Sequence, residues 1–158
     1  MITIDDLKRI VMLGYLTDEM LEKLIPITDL LLFDENEFIF RQGGKSDRLY
    51  MLKEGKVLLE LDVSDNITVS VSSIKPGQAF GWSAMLEEAT YTVNALCSER
   101  CEVLSIRSGK LKALLEHDHT MGYILSQRLL VIMKKRYDIR TEQFIKTITH
   151  HPDIADLL

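Results

Sequence analysis

Residues 75–95 carry the combination of side chains best suited to hold a small ligand. A proline–glycine pair predicts a turn, and Gly81 then separates the apolar Phe80 from a run of helix-forming residues. A glycine here can adopt a positive φ or let the backbone approach a ligand closely. The helical turn that follows presents N–H groups without acceptors at its start, and such groups bind anions. Because a strand resumes at Tyr91–Ala95, the segment predicts a cradle for a small ligand.

Other side chains with catalytic or metal-binding chemistry lack the partners they would need. Cys97 and Cys101 flank a predicted turn and could form a disulfide or bind a metal. Reduced thiols that pack as small apolar groups are the favoured interpretation, because a zinc site needs about four ligands. Ser83 has no histidine near it in sequence to activate it. A metal cluster inside a barrel would need histidines on the strands, and all four lie outside them: His117, His119, His150 and His151. We therefore expect no metal, no catalytic site and no enzyme.

Residues 75–95 resemble the phosphate-binding cassette of the cyclic-nucleotide-binding domain family, the type found in catabolite activator protein and kinase regulatory subunits. The matching positions are Phe80, Gly81, Ala84, Leu86 and Thr90. A second segment, residues 43–57, matches the family's glycine turn and the apolar-Tyr-apolar strand after it, with the expected spacing from Gly43 to Gly55. The resemblance implies a jelly-roll barrel flanked by helices and a regulatory role.

Two positions depart from the family's pattern. The glutamate that holds the ribose hydroxyl in the family is Trp82 here, and the arginine that pairs the cyclic phosphate aligns with Ala89. Losing a charge-assisted bond of about 1.5–3 kcal/mol lowers affinity by about one to two decades. Trp82 either forms an aromatic wall for a ligand or fills a collapsed pocket, and both interpretations stay open. The resemblance implies these ligand-binding residues: Phe80, Gly81, Trp82, Ser83, Ala84, Ala89, Thr90 and Tyr91.

An anionic ligand would need a basic side chain from elsewhere in the fold. No lysine or arginine occurs between Lys75 and Arg100, while Glu87 and Glu88 add negative charge. The cassette itself offers backbone N–H groups and the hydroxyl of Thr90. The candidates, by residue type alone, are Arg41, Lys45 and Arg48.

The composition is that of a single globular domain. The chain has 158 residues and a net charge of −5, which argues against a stand-alone nucleic-acid binder. No apolar run approaches the ~18 residues that span a bilayer, and no basic segment precedes an apolar one near the N-terminus. We therefore expect a cytoplasmic protein with no membrane partner.

The middle of the chain predicts many short antiparallel strands. From Ile27 to Ile106 the apolar residues alternate with a period of two, and glycine or Asp-Asn turns separate the runs. The clearest hairpin joins Val57–Val63 to Ile67–Val71. This pattern is typical of an antiparallel jelly roll.

Helices flank the strands on both sides. Residues 3–14 predict a helix with a Thr3–Asp6 capping box, and Thr17 caps a second, short helix that ends at Pro26. After the strands, Ser108 is expected to cap a helix through about Glu116.

Asp118 then begins a long helix with two apolar stripes. One stripe contains Met121, Ile124, Leu125, Leu129 and Ile132, and the other contains Leu130, Met133, Tyr137, Phe144 and Ile148. A helix with two apolar faces usually packs on two partners. We expect a parallel homodimer along this helix, as in the family, through Leu125, Leu129, Ile132 and Met133. The alternative is that the helix packs entirely on its own barrel.

The predicted fold is α+β, an antiparallel β jelly-roll barrel with N-terminal helices and a long C-terminal helix. Its parts are an N-terminal helical segment (1–26), a ligand-binding barrel (27–107), C-terminal helices including the dimerisation helix (108–149) and a tail (150–158). Nothing after Thr149 offers room for a helix-turn-helix, so we expect no DNA binding by this chain alone.

Two functions follow from the predicted fold. The first is a regulatory domain that senses a small-molecule effector, of which a cyclic nucleotide is one candidate, and passes the signal through the C-terminal helix to an unidentified downstream protein. The alternative is a dimeric interaction scaffold that kept the fold and binds no ligand.

Overall fold

The computed structural model describes residues 1–87 and 89–152. Glu88, which contributes to the negative charge of the cassette, lies outside the described residues. So does most of the predicted tail 150–158, including its amphipathic end.

The N-terminal helices are shorter than the apolar periodicity predicts. Helix α1 spans Ile4–Lys8 and helix α2 spans Asp18–Leu24. The capping box of α1 is present: Asp6 N donates to Thr3 Oγ1 at 3.2 Å and Thr3 N donates to the Asp6 carboxylate at 3.0 Å. The prediction of one helix over 3–14 is wrong, because Val11 N donates to Gly77 O at 2.9 Å instead of continuing the helical ladder.

Eight strands lie in the part of the chain that the structure describes. They are β1 (Thr28–Phe33), β2 (Phe38–Phe40), β3 (Arg48–Glu54), β4 (Val57–Ser64), β5 (Ile67–Ile74), β6 (Ala79–Phe80), β7 (Asn94–Cys97) and β8 (Cys101–Arg107).

The strands form two four-stranded antiparallel sheets, in the order β1-β8-β3-β6 and β2-β7-β4-β5. This arrangement is a double-sheet jelly roll, and β4 pairs with β5 as the predicted hairpin. The predicted fold is therefore confirmed, although the strands form two packed sheets rather than one closed barrel.

The core lies between the two sheets, because both contribute inward-facing residues to one buried cluster. Its members are Phe40, Tyr50, Leu52, Val57, Leu59, Ile74, Phe80, Tyr91, Ala95, Cys97, Cys101 and Val103. Within this cluster the members from β3 and β8 are two residues apart on each strand, as a period of two requires: Tyr50 and Leu52, and Cys101 and Val103.

Two further helices follow β8. Helix α3 spans Ser108–His117, and its cap position is Arg107 rather than Ser108, with no side-chain cap bond. The backbone of Arg107 is still extended, with ψ of 130°, so the helix begins at Ser108, whose N–H donates to Asp47 O at 2.9 Å. Helix α4 spans His119–Thr149, and Asp118 precedes it as predicted, with its Oδ1 accepting from Met121 N at 3.0 Å.

The chain divides into two units, residues 1–122 and residues 123 onward. In the second unit Lys134 pairs with Asp138, one helical turn later, at 2.7 Å. Several large apolar side chains of this unit are exposed: Leu130, Val131, Met133, Tyr137, Phe144 and Ile145. The four predicted dimerisation residues differ in exposure. Met133 is exposed, Leu129 and Ile132 are half-buried, and Leu125 is only 6% exposed in the single chain.

Candidate ligand-binding site

The glycine of the predicted cradle faces packed side chains. Gly81 has the left-handed conformation that only glycine adopts easily, with φ of 77°. A Cβ atom at this position would lie 3.0 Å from the Tyr50 ring and 3.3 Å from Arg48 O. The close approach that the glycine permits is therefore to the protein's own core.

Four aromatic rings occupy the interior beside Gly81. Phe40 stacks on Tyr91 with ring centroids 3.8 Å apart, and Tyr50 stacks on Phe80 at 5.5 Å. Phe40 also lies 5.6 Å from Tyr50. Burial raises the pKa of the Tyr50 phenol well above its usual value. These contacts are those of a packed core.

The turn after Gly81 is a short 3-10 helix over Trp82–Met85. Its N–H groups are partly used internally, because Ala84 N donates to Gly81 O at 3.2 Å and Leu86 N donates to Ser83 O at 3.0 Å. Among the described residues, the Trp82 indole N–H is buried without a hydrogen-bond partner. Of the N–H groups at the start of this turn, that of Ala84 is therefore already used within the turn.

The eight predicted ligand-binding residues divide into three groups. Phe80, Ala84 and Tyr91 are at most 4% exposed, while Gly81, Trp82 and Ser83 are half-buried. Ala89 and Thr90, by contrast, line an open cleft. The structure therefore separates the two ends of the cassette that the sequence treats as one cradle.

The cleft has a volume of about 730 Å³, within the range of small-molecule sites. Three parts of the chain form its walls: the turn before β3, the end of the cassette and the first turns of α3. The lining residues are Gly43, Lys45, Ser46, Leu86, Glu87, Ala89, Thr90, Ser108 and Lys112.

Backbone hydrogen bonds hold the first two walls together. Gly43 N donates to Tyr91 O at 2.8 Å, Tyr91 N donates to Gly44 O at 2.9 Å, and Ser46 N donates to Ala89 O at 3.1 Å. Lys45 and Thr90 form an antiparallel bridge. The strand predicted at Tyr91–Ala95 begins only at Asn94, because Tyr91 pairs with this turn instead of with a strand.

Two lysines bring positive charge to the cleft. Lys45 is exposed and Lys112 is half-buried, and neither forms an ion pair with any carboxylate that the structure describes. Glu87 is the one described acidic residue in the lining. The cleft can therefore attract an anion, and Thr90 and Ser108 in its lining carry hydroxyl groups.

Only one of the three basic candidates from the sequence lines the cleft, and that is Lys45. Arg41 lies over the Phe38 ring at 3.8 Å. Arg48 is held by Asp29 and by the Ser105 hydroxyl, both at 2.9 Å.

Lys112 was missed by sequence reasoning. The contact that places α3 beside the turn is the Ser108–Asp47 backbone bond, which no local motif encodes. The only signal was weak: Ser108 and Lys112 are four residues apart and so share one face at a helix start.

The cysteines and the other potential metal ligands form no reactive or metal-binding cluster among the described residues. Cys97 and Cys101 are free thiols and both are buried, and burial together with the neighbouring Cys101 thiol raises the pKa of Cys97 to about 12. Among residues 1–87 and 89–152, no group of three or more metal-ligating side chains comes together. None of the described helices combines the length and apolar character needed to cross a bilayer.

Comparison with known proteins gives a consistent result. The model of the cyclic nucleotide-binding domain matches residues 30–118, which is more than half of the chain. A structure described as that of a candidate cyclic nucleotide-binding protein from Geobacter metallireducens GS-15 is 27% identical, with a TM-score of 0.75 over 87% of this chain and 99% of that one.

Two more distant structures share the fold. Thermus thermophilus catabolite activator protein is 20% identical, with a TM-score of 0.73 over 87% of this chain and 63% of that one. The regulatory domain of Toxoplasma gondii PKA, crystallised with cAMP, is also 20% identical, with a TM-score of 0.70 over 85% of this chain and 48% of that one.

Proposed function

This chain belongs to the cyclic nucleotide-binding domain family, and on that premise we propose that it is a regulatory domain that binds a small anionic effector in the cleft between the 43–46 turn and α3. Cyclic nucleotides are the first candidates, because the T. gondii relative was crystallised with cAMP.

The observation that carries the proposal is the cleft beside Thr90. The family's arginine is Ala89 here, so the cassette itself supplies no cation. Lys45, bridged to Thr90, supplies one from the opposite wall. A lysine is a compact point charge and lacks the two-pronged geometry of arginine, so we expect the ligand to be held less rigidly than in members that keep the arginine.

The interior beside Gly81 argues for the cleft over the cradle as the place of binding. On the side of Gly81 where a Cβ would lie, the Tyr50 ring is 3.0 Å away and the Phe40 ring 3.5 Å away, so a ligand entering from that side would have to displace Tyr50. Rearranging a packed core costs free energy, and ligand binding at a weakly charged site would not offset that cost.

Signal transmission would use α4. Leu130, Tyr137 and Phe144 are more than 60% exposed in the single chain, and a second copy of the helix would cover them in a parallel homodimer. A dimer interface along α4 would then include three of the residues that the sequence predicts for it, Met133, Ile132 and Leu129. Leu125 contributes less, because it is already buried. Ligand binding changes such an assembly only if it favours one arrangement of α4 over another.

The test is a titration with cAMP and cGMP by calorimetry, followed in parallel by the fluorescence of Trp82, the sole tryptophan. We expect saturable micromolar binding and a shift in sedimentation of the dimer. Trp82 emission should change little, because Trp82 lies outside the cleft lining. Lys45→Ala should weaken binding about tenfold or more, because it removes a charge-assisted bond. Lys110→Ala, on the same helix as Lys112 but outside the cleft, is the control.

Binding without any change in sedimentation or in the exposure of α4 would contradict the regulatory role. No binding of any anionic compound at millimolar concentration would contradict the effector site itself.

A further inference from the structure

We propose, resting on the function above, that the cleft recognises a small organic phosphate monoester, with its terminal phosphate held between Lys45, Lys112 and the N-terminus of α3. This differs in chemistry from a cyclic nucleotide, whose phosphate is a diester with one charge. Three independent features of the cleft lead to this assignment.

The first feature is the start of α3. This ten-residue helix has no acidic side chain in its first turn, and Arg107 at its cap makes no side-chain bond. The first N–H groups of a helix have no acceptor within the helix, and the helix dipole adds a partial positive charge. A Cβ atom at Gly109 would meet nothing within 4 Å. Ser108 N already donates to Asp47 O at 2.9 Å, so the N–H groups left for a ligand are those that follow it in the first turn. Ser108 and Lys112 extend the helix start along the cleft wall.

The second feature is the Ser46 side chain in the facing wall. Ser46 is 7% exposed, and its Oγ is buried without a hydrogen-bond partner among the described residues. Buried hydroxyls almost always have a partner, and an unpaired one lowers stability. Because Ser46 lines the cleft, a rotation of its side chain would bring this hydroxyl to a phosphate oxygen as acceptor.

The third feature is the balance of charge. A phosphate monoester carries about −1.5 to −2 at neutral pH, whereas a cyclic diester carries one charge. Lys45 and Lys112 lie in the lining against a single described carboxylate, Glu87. One additional charge pair at about 4 Å in a solvent-exposed site is worth about fivefold in affinity. Two lysines therefore favour the dianion over the monoanion by about tenfold or more.

The size of the cleft indicates that the phosphate carries an organic group. A volume of about 730 Å³ is far larger than a phosphate ion needs, and Leu86, which is 67% exposed, offers an apolar wall. Burying such a side chain against a ligand is favourable. The ligand class is thus a phosphate monoester with a partly apolar body.

The experiment compares four probes by calorimetry at one ionic strength: inorganic phosphate, phenyl phosphate, AMP and cAMP. We expect phenyl phosphate and AMP to bind about tenfold or more tightly than cAMP, and inorganic phosphate to compete with both. The Lys45→Ala/Lys112→Ala double variant should lower AMP affinity by about 100-fold, because each lysine contributes about tenfold. Ser46→Ala should lower it by about threefold to tenfold.

Lys110→Ala is the matched control, since it removes the same charge from the same helix outside the cleft, and we expect a change below about twofold. Far-UV circular dichroism of each variant checks that the fold is retained.

The outcomes separate this inference from the proposed function. If cAMP binds as tightly as AMP, the monoester assignment is wrong and the effector site stands. If AMP binds but the double variant binds it equally well, the assigned position is wrong. If none of the four probes binds at millimolar concentration, the monoester assignment and the anionic effector site are both contradicted.

Discussion

The two segments that match the family differ in what faces their glycines. Gly81 and Gly43 both have a left-handed backbone, with φ of 77° and 82°. A Cβ at Gly81 would press on the Tyr50 ring at 3.0 Å, while a Cβ at Gly43 would meet nothing within 4 Å. One glycine serves core packing and the other borders an open cleft. Packed side chains therefore face one of the two glycines, and the accessible space of the cleft lies at the other.

The largest effect is expected from removing one of the four rings that pack beside Gly81. Phe40→Ala should lower the free energy of unfolding by about 3–5 kcal/mol, because Phe40 is only 9% exposed and its loss leaves a cavity. Urea unfolding followed by circular dichroism measures the change. Leu86→Ala, in the cleft wall and 67% exposed, should change stability by less than about 0.5 kcal/mol. Similar small losses for both variants would show that the interior is not packed as described.

Alanine variants of the two glycines separate backbone strain from packing. Gly43→Ala should cost about 1–2 kcal/mol of stability from backbone strain alone. Gly81→Ala should cost about 2–4 kcal/mol, because crowding against Tyr50 and Arg48 O adds to the same strain. The difference between the two unfolding free energies isolates the packing contribution. Equal losses would mean that Gly81 faces free space.

The smallest expected effect concerns the residue that joins the two regions. The Tyr91 hydroxyl donates to Arg48 O at 2.8 Å and accepts from Arg48 N at 3.2 Å. Tyr91→Phe keeps the ring that stacks on Phe40 and removes both bonds, so we expect a loss of about 1 kcal/mol in urea unfolding. Affinity for AMP should stay within about twofold, since the hydroxyl lies outside the cleft lining. A large loss of affinity with unchanged stability would place Tyr91 in the binding site.

Much of the fold could be predicted from local patterns. The Thr3–Asp6 capping box and the β4–β5 hairpin depend on residues close together in sequence, so propensity and alternation identify them. The errors occur where a distant partner competes. Val11 leaves the helical ladder for Gly77 O, and Tyr91 pairs with the 43–44 turn instead of beginning a strand. Local propensity does not register such contacts.

The candidate site was predicted in part, for a related reason. Resemblance located the cassette and showed that Trp82 and Ala89 replace the family's glutamate and arginine. Residue type alone made Lys45 one of three basic candidates, and it could not distinguish Lys45 from Arg41, which lies over Phe38. That distinction depends on which side chains each turn meets in three dimensions.

The class of fold and the replacement of the family's charged ligand contacts can be read from the sequence alone. Alternation with a period of two sends one face of each strand inward, and residue identity at Trp82 and Ala89 can be read directly. Only the tertiary structure decided that four rings pack beside Gly81 and that Lys45 and Lys112 line one cleft. The physical reason is that both results depend on contacts between segments far apart in the chain, and these form only when the two sheets and α3 pack together.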